Sequence, residues 1–117
     1  MEKSLPIDGF RLAYERTGHG PAVVLLHGWP GDRTDYRHVV PILASTTDVV
    51  VPDLRGFGES DKHRLDPAVS YSADAQARSV VGLIEELRLD RPVIGGYDIG
   101  SRIAQTVARN RPDLVRA

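Results

Sequence analysis

Three short apolar runs, Val23-Val24-Leu25-Leu26, Val49-Val50-Val51 and Val93-Ile94, each end in a turn containing Gly or Pro. None of them alternates apolar with polar residues. A strand with one wet face must alternate, so runs of this kind suit strands covered on both faces, as in a parallel sheet flanked by helices. Parallel neighbours also need long crossover connections, and the intervening segments have the length and pattern for them.

From Ala73, the positions Ala77, Val80, Ile84 and Leu87 draw one apolar stripe at spacings of four, three, four and three, which predicts a helix. Ser70 or Ser72 is suited to cap its start, Asp74 suits its first turn, and Pro92 forbids its continuation. A second stripe, Ile99, Ile103 and Val107 with Ala104 and Ala108, predicts another helix that ends before Pro112. A third, shorter helix is expected from about Thr34 to Ala44, with Pro41 disturbing its last turn. At the start of the chain, two alternating segments, Ser4 to Ile7 and Arg11 to Arg16, flank Asp8-Gly9, a dipeptide suited to a tight hairpin. Strands alternating with helices make the fold class α/β.

The 117 residues carry 41% hydrophobic side chains, enough for a core of ordinary domain size. Fifteen basic and 16 acidic residues are mixed along the chain, with no basic stripe for nucleic acid or an anionic membrane. No nucleic-acid or membrane partner is expected. The chain has no cysteine, which excludes disulfides and thiolate metal sites and fits a reducing compartment, so a cytoplasmic location is the expectation. Met1-Glu2-Lys3-Ser4 opens a polar stretch without the apolar run of a signal peptide, and no segment has the length to span a bilayer.

The chemistry concentrates where the third run turns into the second helix, in Gly95-Gly96-Tyr97-Asp98-Ile99-Gly100. A strand that bends abruptly into a helix lifts the central side chain above the sheet only if the residues two before and two after are nearly bare, here Gly96 and Gly100. Asp98 then stands exposed at a helix N-terminus, which favours an anion. An aspartate at such a junction more often simply caps its helix. The turn after the first run, His27-Gly28-Trp29-Pro30-Gly31, argues for more, because backbone N–H groups in such a turn can supply half of an oxyanion hole.

With both turns in place, the chain resembles the α/β-hydrolase superfamily over its whole length. Asp53-Leu54-Arg55-Gly56-Phe57-Gly58-Glu59-Ser60 looks like the turn after that fold's fourth strand, and Arg111-Pro112-Asp113-Leu114-Val115 like the lead-in to its sixth. The resemblance implies five strands in the order 1-2-4-3-5, the first two antiparallel to their neighbours and the rest parallel. It also implies a cofactor-free hydrolase whose nucleophile is Asp98, with the Trp29 and Ile99 N–H groups as the oxyanion hole. His27, Gly28, Pro30, Gly96 and Gly100 would support the two turns. Relatives with an aspartate at this position are epoxide hydrolases and haloalkane or haloacetate dehalogenases, which open a small-molecule substrate to a covalent aspartyl ester that water cleaves. Haloalkane dehalogenases cradle the halide with an asparagine after the His-Gly pair and a tryptophan after the nucleophile; Trp29 and Ile99 stand in those places here. The His-Gly-aromatic-Pro form is similar to epoxide hydrolases, which rank first. Haloacetate dehalogenases share the first turn, but of their two substrate-gripping arginines after the nucleophile only Arg102 is represented.

Other motifs carry less. Gly56-Phe57-Gly58 has Asp61 where a dinucleotide loop needs its third glycine, and it reads as a structural turn. Gly28 and Gly31 lack the Lys-Ser/Thr of a phosphate loop, and His19, His27, His38 and His63 are scattered, so no cofactor and no metal are expected. In the family, the counterpart of His27 braces the oxyanion loop, a role preferred here over proton transfer. Asp53 and Arg55 are expected to organise their own turn. Tyr36 and Trp29 suit a substrate pocket and the core equally.

In the resembled fold the supporting acid and the histidine base follow the nucleophile in the chain. After Asp98 the sequence holds one acid, Asp113, and no histidine. Residues 1–117 are therefore expected to be the N-terminal part of the core domain, without the catalytic His and acid, the cap domain or the last strands. Three possibilities remain open: a fragment, one half completed by a C-terminal segment or chain, or a non-catalytic binding or assembly module. The edge of the fifth strand is expected to take that complement or a second copy.

Overall fold

The computed structural model describes residues 1–117. Its sheet contains β1 (Glu2–Lys3), β2 (Ala13–Thr17), β3 (Ala22–Leu26), β4 (Asp48–Pro52) and β5 (Val93–Gly96), in the order β1-β2-β4-β3-β5. β1 with β2 and β2 with β4 run antiparallel, while β3 runs parallel to both β4 and β5, the topology expected from the sequence. The apolar runs are covered on both faces. Val24, Leu26 and Val50 point into the larger core, against α3 (Ala73–Glu86) and α4 (Ile99–Asn110). Leu25, Val49 and Val51 point the other way, against Tyr36 and α1 (Val40–Leu43). Leu83 and Ile84 of α3 are 1% exposed, and each such burial stabilises the fold by about 1.5–3 kcal/mol relative to an exposed side chain.

Register sets the site. Val23 lies opposite Val93 and Leu26 opposite Gly96, so the turns leaving β3 and β5 emerge side by side at the same end of the sheet.

Several elements differ from the sequence expectation. The first arm of the opening pair is Glu2–Lys3 rather than Ser4 to Ile7, because Pro6 has no N–H to continue the ladder. Asp8-Gly9 still turns tightly between the Ile7–Phe10 bridge, with φ 52° and 82°. The segment expected as one helix from Thr34 is split into a 3-10 turn, Arg33–Tyr36, and α1. Pro41 sits in the first turn of α1, where its missing N–H costs nothing, and so starts a helix instead of ending one. Ser72, not Ser70, caps α3, accepting from the Ala75 N–H at 3.2 Å. That helix stops at Glu86, ahead of Pro92, as Arg88 turns to φ 53°. A short helix α2 (Pro67–Ser70) was not anticipated; Asp66 caps it and Pro67 opens it, a legible start signal. No helix is long and apolar enough to cross a membrane.

Candidate active site

Asp98 stands between β5 and α4 at φ 54°, ψ −125°, a backbone conformation that costs an L-residue strain. Space permits the bend only because its neighbours lack side chains. A Cβ on Gly96 would come within 2.6 Å of the Gly100 backbone, and one on Gly100 would strike the Leu26 and His27 carbonyls.

The Asp98 side chain makes no capping hydrogen bond to its helix. The commoner role of an aspartate at such a junction, capping its helix, is thus not the one Asp98 takes: the positive φ turns the carboxylate away from the α4 axis and toward the β3 turn. There Oδ2 accepts from the Trp29 N–H at 2.9 Å, across 69 residues of sequence. The Trp29 N–H first and the Ile99 N–H second hold the carboxyl below its ordinary value of 3.8, with a smaller attraction from Arg102. A carboxylate depressed in the folded state contributes stability that is complete above its unfolded value and fades as the pH falls through its lower folded value. The Trp29 amide proton resonance is therefore expected to shift in acid with a midpoint below 3.8. A midpoint at or above that value would show that the N–H does not grip the carboxylate in solution.

The residues that form the β3 turn are fixed by buried bonds. His27 is fully buried; its Nε2 accepts from the Leu54 N–H at 3.0 Å and its Nδ1 lies 2.9 Å from Gly28 O. Leu54 must donate, so Nδ1 carries the proton and donates to Gly28 O, which leaves neither nitrogen for proton transfer. Gly28 is buried against Tyr97 and the Asp98 Cβ, and Trp29-Pro30 is a cis peptide. Tyr36 belongs to the core side: its ring packs under the sheet and its hydroxyl donates to Leu26 O at 2.8 Å. Burial pushes that phenol up to about 12.

Trp29 is 68% exposed and lines a cavity of 640 Å³ together with Phe57, Leu65, Tyr71, Ile99 and Ile103, among others. Asp98 adjoins two of its wall residues, Ile99 along the chain and Trp29 through the 2.9 Å bond to Oδ2. Lys62 and Arg102 add positive charge to the wall, and no acid lines it. Gly56 and Gly58, at φ 85° and 50°, form the tight turn after β4, with Gly58 packed on the Asp53 carboxylate. No group of three His, Cys, Asp or Glu side chains is close enough to hold a metal ion.

Sequence reasoning missed the reach of Arg55. Fully buried, it donates to Ser79 Oγ at 2.7 Å, Ser70 O at 3.1 Å, and Asp8 Oδ2 at 2.9 Å, and its guanidinium lies 4.6 Å over the Phe10 ring. It thus joins the opening hairpin, α2 and α3 behind the cavity, well beyond its own turn.

Known proteins share this fold. Residues 21–117 match the family described as alpha/beta hydrolase fold. The soluble epoxide hydrolase of Corynebacterium sp. (strain C12) is 38% identical over 109 residues, which cover 93% of this chain and 37% of that protein. A haloalkane dehalogenase of Bradyrhizobium diazoefficiens is 32% identical over 113 residues, 95% of this chain and 35% of the relative. The crystal structure of an epoxide hydrolase from Vigna radiata superposes with a TM-score of 0.90 at 27% identity, covering 99% of this chain and 38% of that one. The chain spans little more than a third of the length of each of these relatives. With its sheet order, its two adjoining turns and this match over residues 21–117, the chain belongs to the α/β-hydrolase fold family.

Proposed function

We propose that the chain is the nucleophile-bearing, N-terminal part of a hydrolase core that acts through a covalent aspartyl ester, with an epoxide as substrate. One observation carries this reading: Asp98 offers a carboxylate with one oxygen held by a backbone N–H and no capping duty. Oδ1 attacks a carbon of the epoxide ring, the carbon–oxygen bond opens, and the ring oxygen takes a proton from an acid supplied outside residues 1–117. Water then adds to the ester carbon, negative charge forms on Oδ2, and the Trp29 N–H already at that oxygen stabilises it, with the Ile99 N–H next to the carboxyl as the second donor. Collapse breaks the bond to Oδ1 and releases a diol. The apolar part of the cavity receives the substrate body. The similarity to epoxide hydrolases supports the choice of substrate; carbon–halogen cleavage ranks second, because Trp29 stands where the halide-holding asparagine would follow His27-Gly28 and Ile99 where the tryptophan would follow Asp98.

The base that activates water is assigned to the part of the enzyme beyond residues 1–117, since both nitrogens of His27 are committed. With solvent water supplying the proton to the ring oxygen, this chain alone is therefore expected to react slowly with an aryl epoxide once, at Asp98, and not to turn over. Peptide mass spectrometry should find the adduct at Asp98 ahead of exposed carboxylates such as Asp113. Even labelling of all exposed carboxylates would remove the special nucleophile, and sustained Asp98-dependent hydrolysis by this chain would show that it holds its own base.

A further inference from the structure

The Trp29 N–H meets Asp98 Oδ2 without an anchor of its own, since the Trp29 side chain is 68% exposed. Its aim depends on what holds Gly28 before it and Gly31 after it. Tyr97, the residue before Asp98, bears on both. Its ring lies against Gly28, where a Cβ would come within 2.6 Å of Cε2. Its hydroxyl donates to the Asp35 carboxylate, the group that a Cβ on Gly31 would strike first. Asp35 lies in the 3-10 turn beside Tyr36, whose ring stands edge-on to that of Tyr97 at 6.0 Å and whose hydroxyl is fastened to Leu26 O. The end of β3, the 3-10 turn and the elbow are thus linked through two phenols, Tyr36 to Leu26 and Tyr97 to Asp35.

We propose that Tyr97 is a positioning residue: its hydrogen bond to Asp35 clamps the Gly28–Gly31 loop against the elbow and keeps the Trp29 N–H aimed at Asp98 Oδ2. The Asp35 carboxylate holds the phenol above its ordinary value of 10.0, so the donor keeps its proton through neutral pH. Aim matters because a donor misplaced by about 1 Å forfeits a large part of its effect on a developing oxyanion, up to roughly 10²-fold in rate. The effect on turnover rests on the reading of Asp98 as nucleophile; the clamp itself does not.

The clamp is tested by following the Trp29 amide resonance of the purified protein as the pH is lowered through the Asp98 titration. Tyr97→Phe, which keeps the ring on Gly28, and Asp35→Ala should both lose most of the shift that the wild type shows. Asp35→Asn, which still accepts from the phenol, should recover most of it. In the whole enzyme, Tyr97→Phe should slow ester hydrolysis roughly tenfold to a hundredfold, as a fall in kcat with the ester accumulating and KM falling alongside. A dispersed Tyr97→Phe spectrum with the full Trp29 shift overturns the clamp, and so does equal loss in Asp35→Asn and Asp35→Ala. If Tyr97→Phe does not fold, the two Asp35 variants decide by the same readout. A wild type that shows the Trp29 shift but never forms an Asp98 ester leaves the clamp standing and removes the nucleophile.

Discussion

Replacing Asp98 with Asn in the whole enzyme is expected to lower kcat by more than about 10⁴-fold while the protein stays folded, because the reacting oxygen is lost and little else changes. The carboxylate makes no cap to α4, so the fold does not depend on it through that route. Replacement by Gly separates chemistry from structure further. Glycine accepts φ 54° without strain, which offsets loss of the bond from the Trp29 N–H, so Asp98→Gly should stay folded with a melting temperature near wild type while being equally inactive. A single turnover in heavy-oxygen water decides between covalent and direct attack. If Oδ1 attacks carbon, the first diol carries oxygen from Asp98 and starts unlabelled, and the heavy atom appears in the Asp98 peptide. Immediate label in the diol, or near-normal turnover by Asp98→Asn, would falsify the covalent route.

The features that sequence revealed are those with local causes. Runs such as Val49-Val50-Val51 report two covered faces, Ser72 and Asp74 announce a helix start, and the spacing Gly96-x-Asp98-x-Gly100 reports a bend that only bare neighbours allow. Errors arose where a residue has two local meanings. Pro41 looks like a helix breaker in sequence and acts as a helix opener, while Pro6 displaces the first strand toward the N-terminus. The capping reading of Asp98 failed for a different reason: composition at a junction does not reveal ψ, and the turn of the carboxylate toward Trp29 is set by the pairing of Leu26 with Gly96. Long-range polar bonds were invisible for the same cause. Arg55 meets Asp8 across 47 residues and Tyr97 meets Asp35 across 62, and in each case the partner is chosen by sheet order rather than by any motif around it.

The largest effect on stability is expected from Asp53→Ala. Asp53 is fully buried, and its carboxylate accepts from the Arg33 N–H at 2.7 Å, the Arg33 guanidinium at 2.6 Å and the Glu59 N–H at 2.9 Å. Removing it leaves the Arg33 side chain, 13% exposed, with only the 3.5 Å ion pair from its Nε to Glu15, which is too long for a hydrogen bond. Breaking a buried pair from one side costs about 3–5 kcal/mol, whereas loss of the exposed Arg111–Asp113 pair should cost no more than about 1 kcal/mol. Urea denaturation should show a lower midpoint for Asp53→Ala with the slope unchanged. The consequence reaches the active site, because Asp53 ties the segment after β3, through Arg33, to the turn after β4, through Glu59. Its neighbour Leu54 donates to His27 at the root of the same segment. With Asp53 gone, the stretch from His27 to Arg33 keeps its first anchor and loses its second, so the Trp29 amide should broaden or shift even where the variant remains folded. A loss of stability below about 1 kcal/mol would mean that Arg33 turns outward to Glu15, 3.5 Å from its Nε, and that Asp53 is not the tie between the two turns.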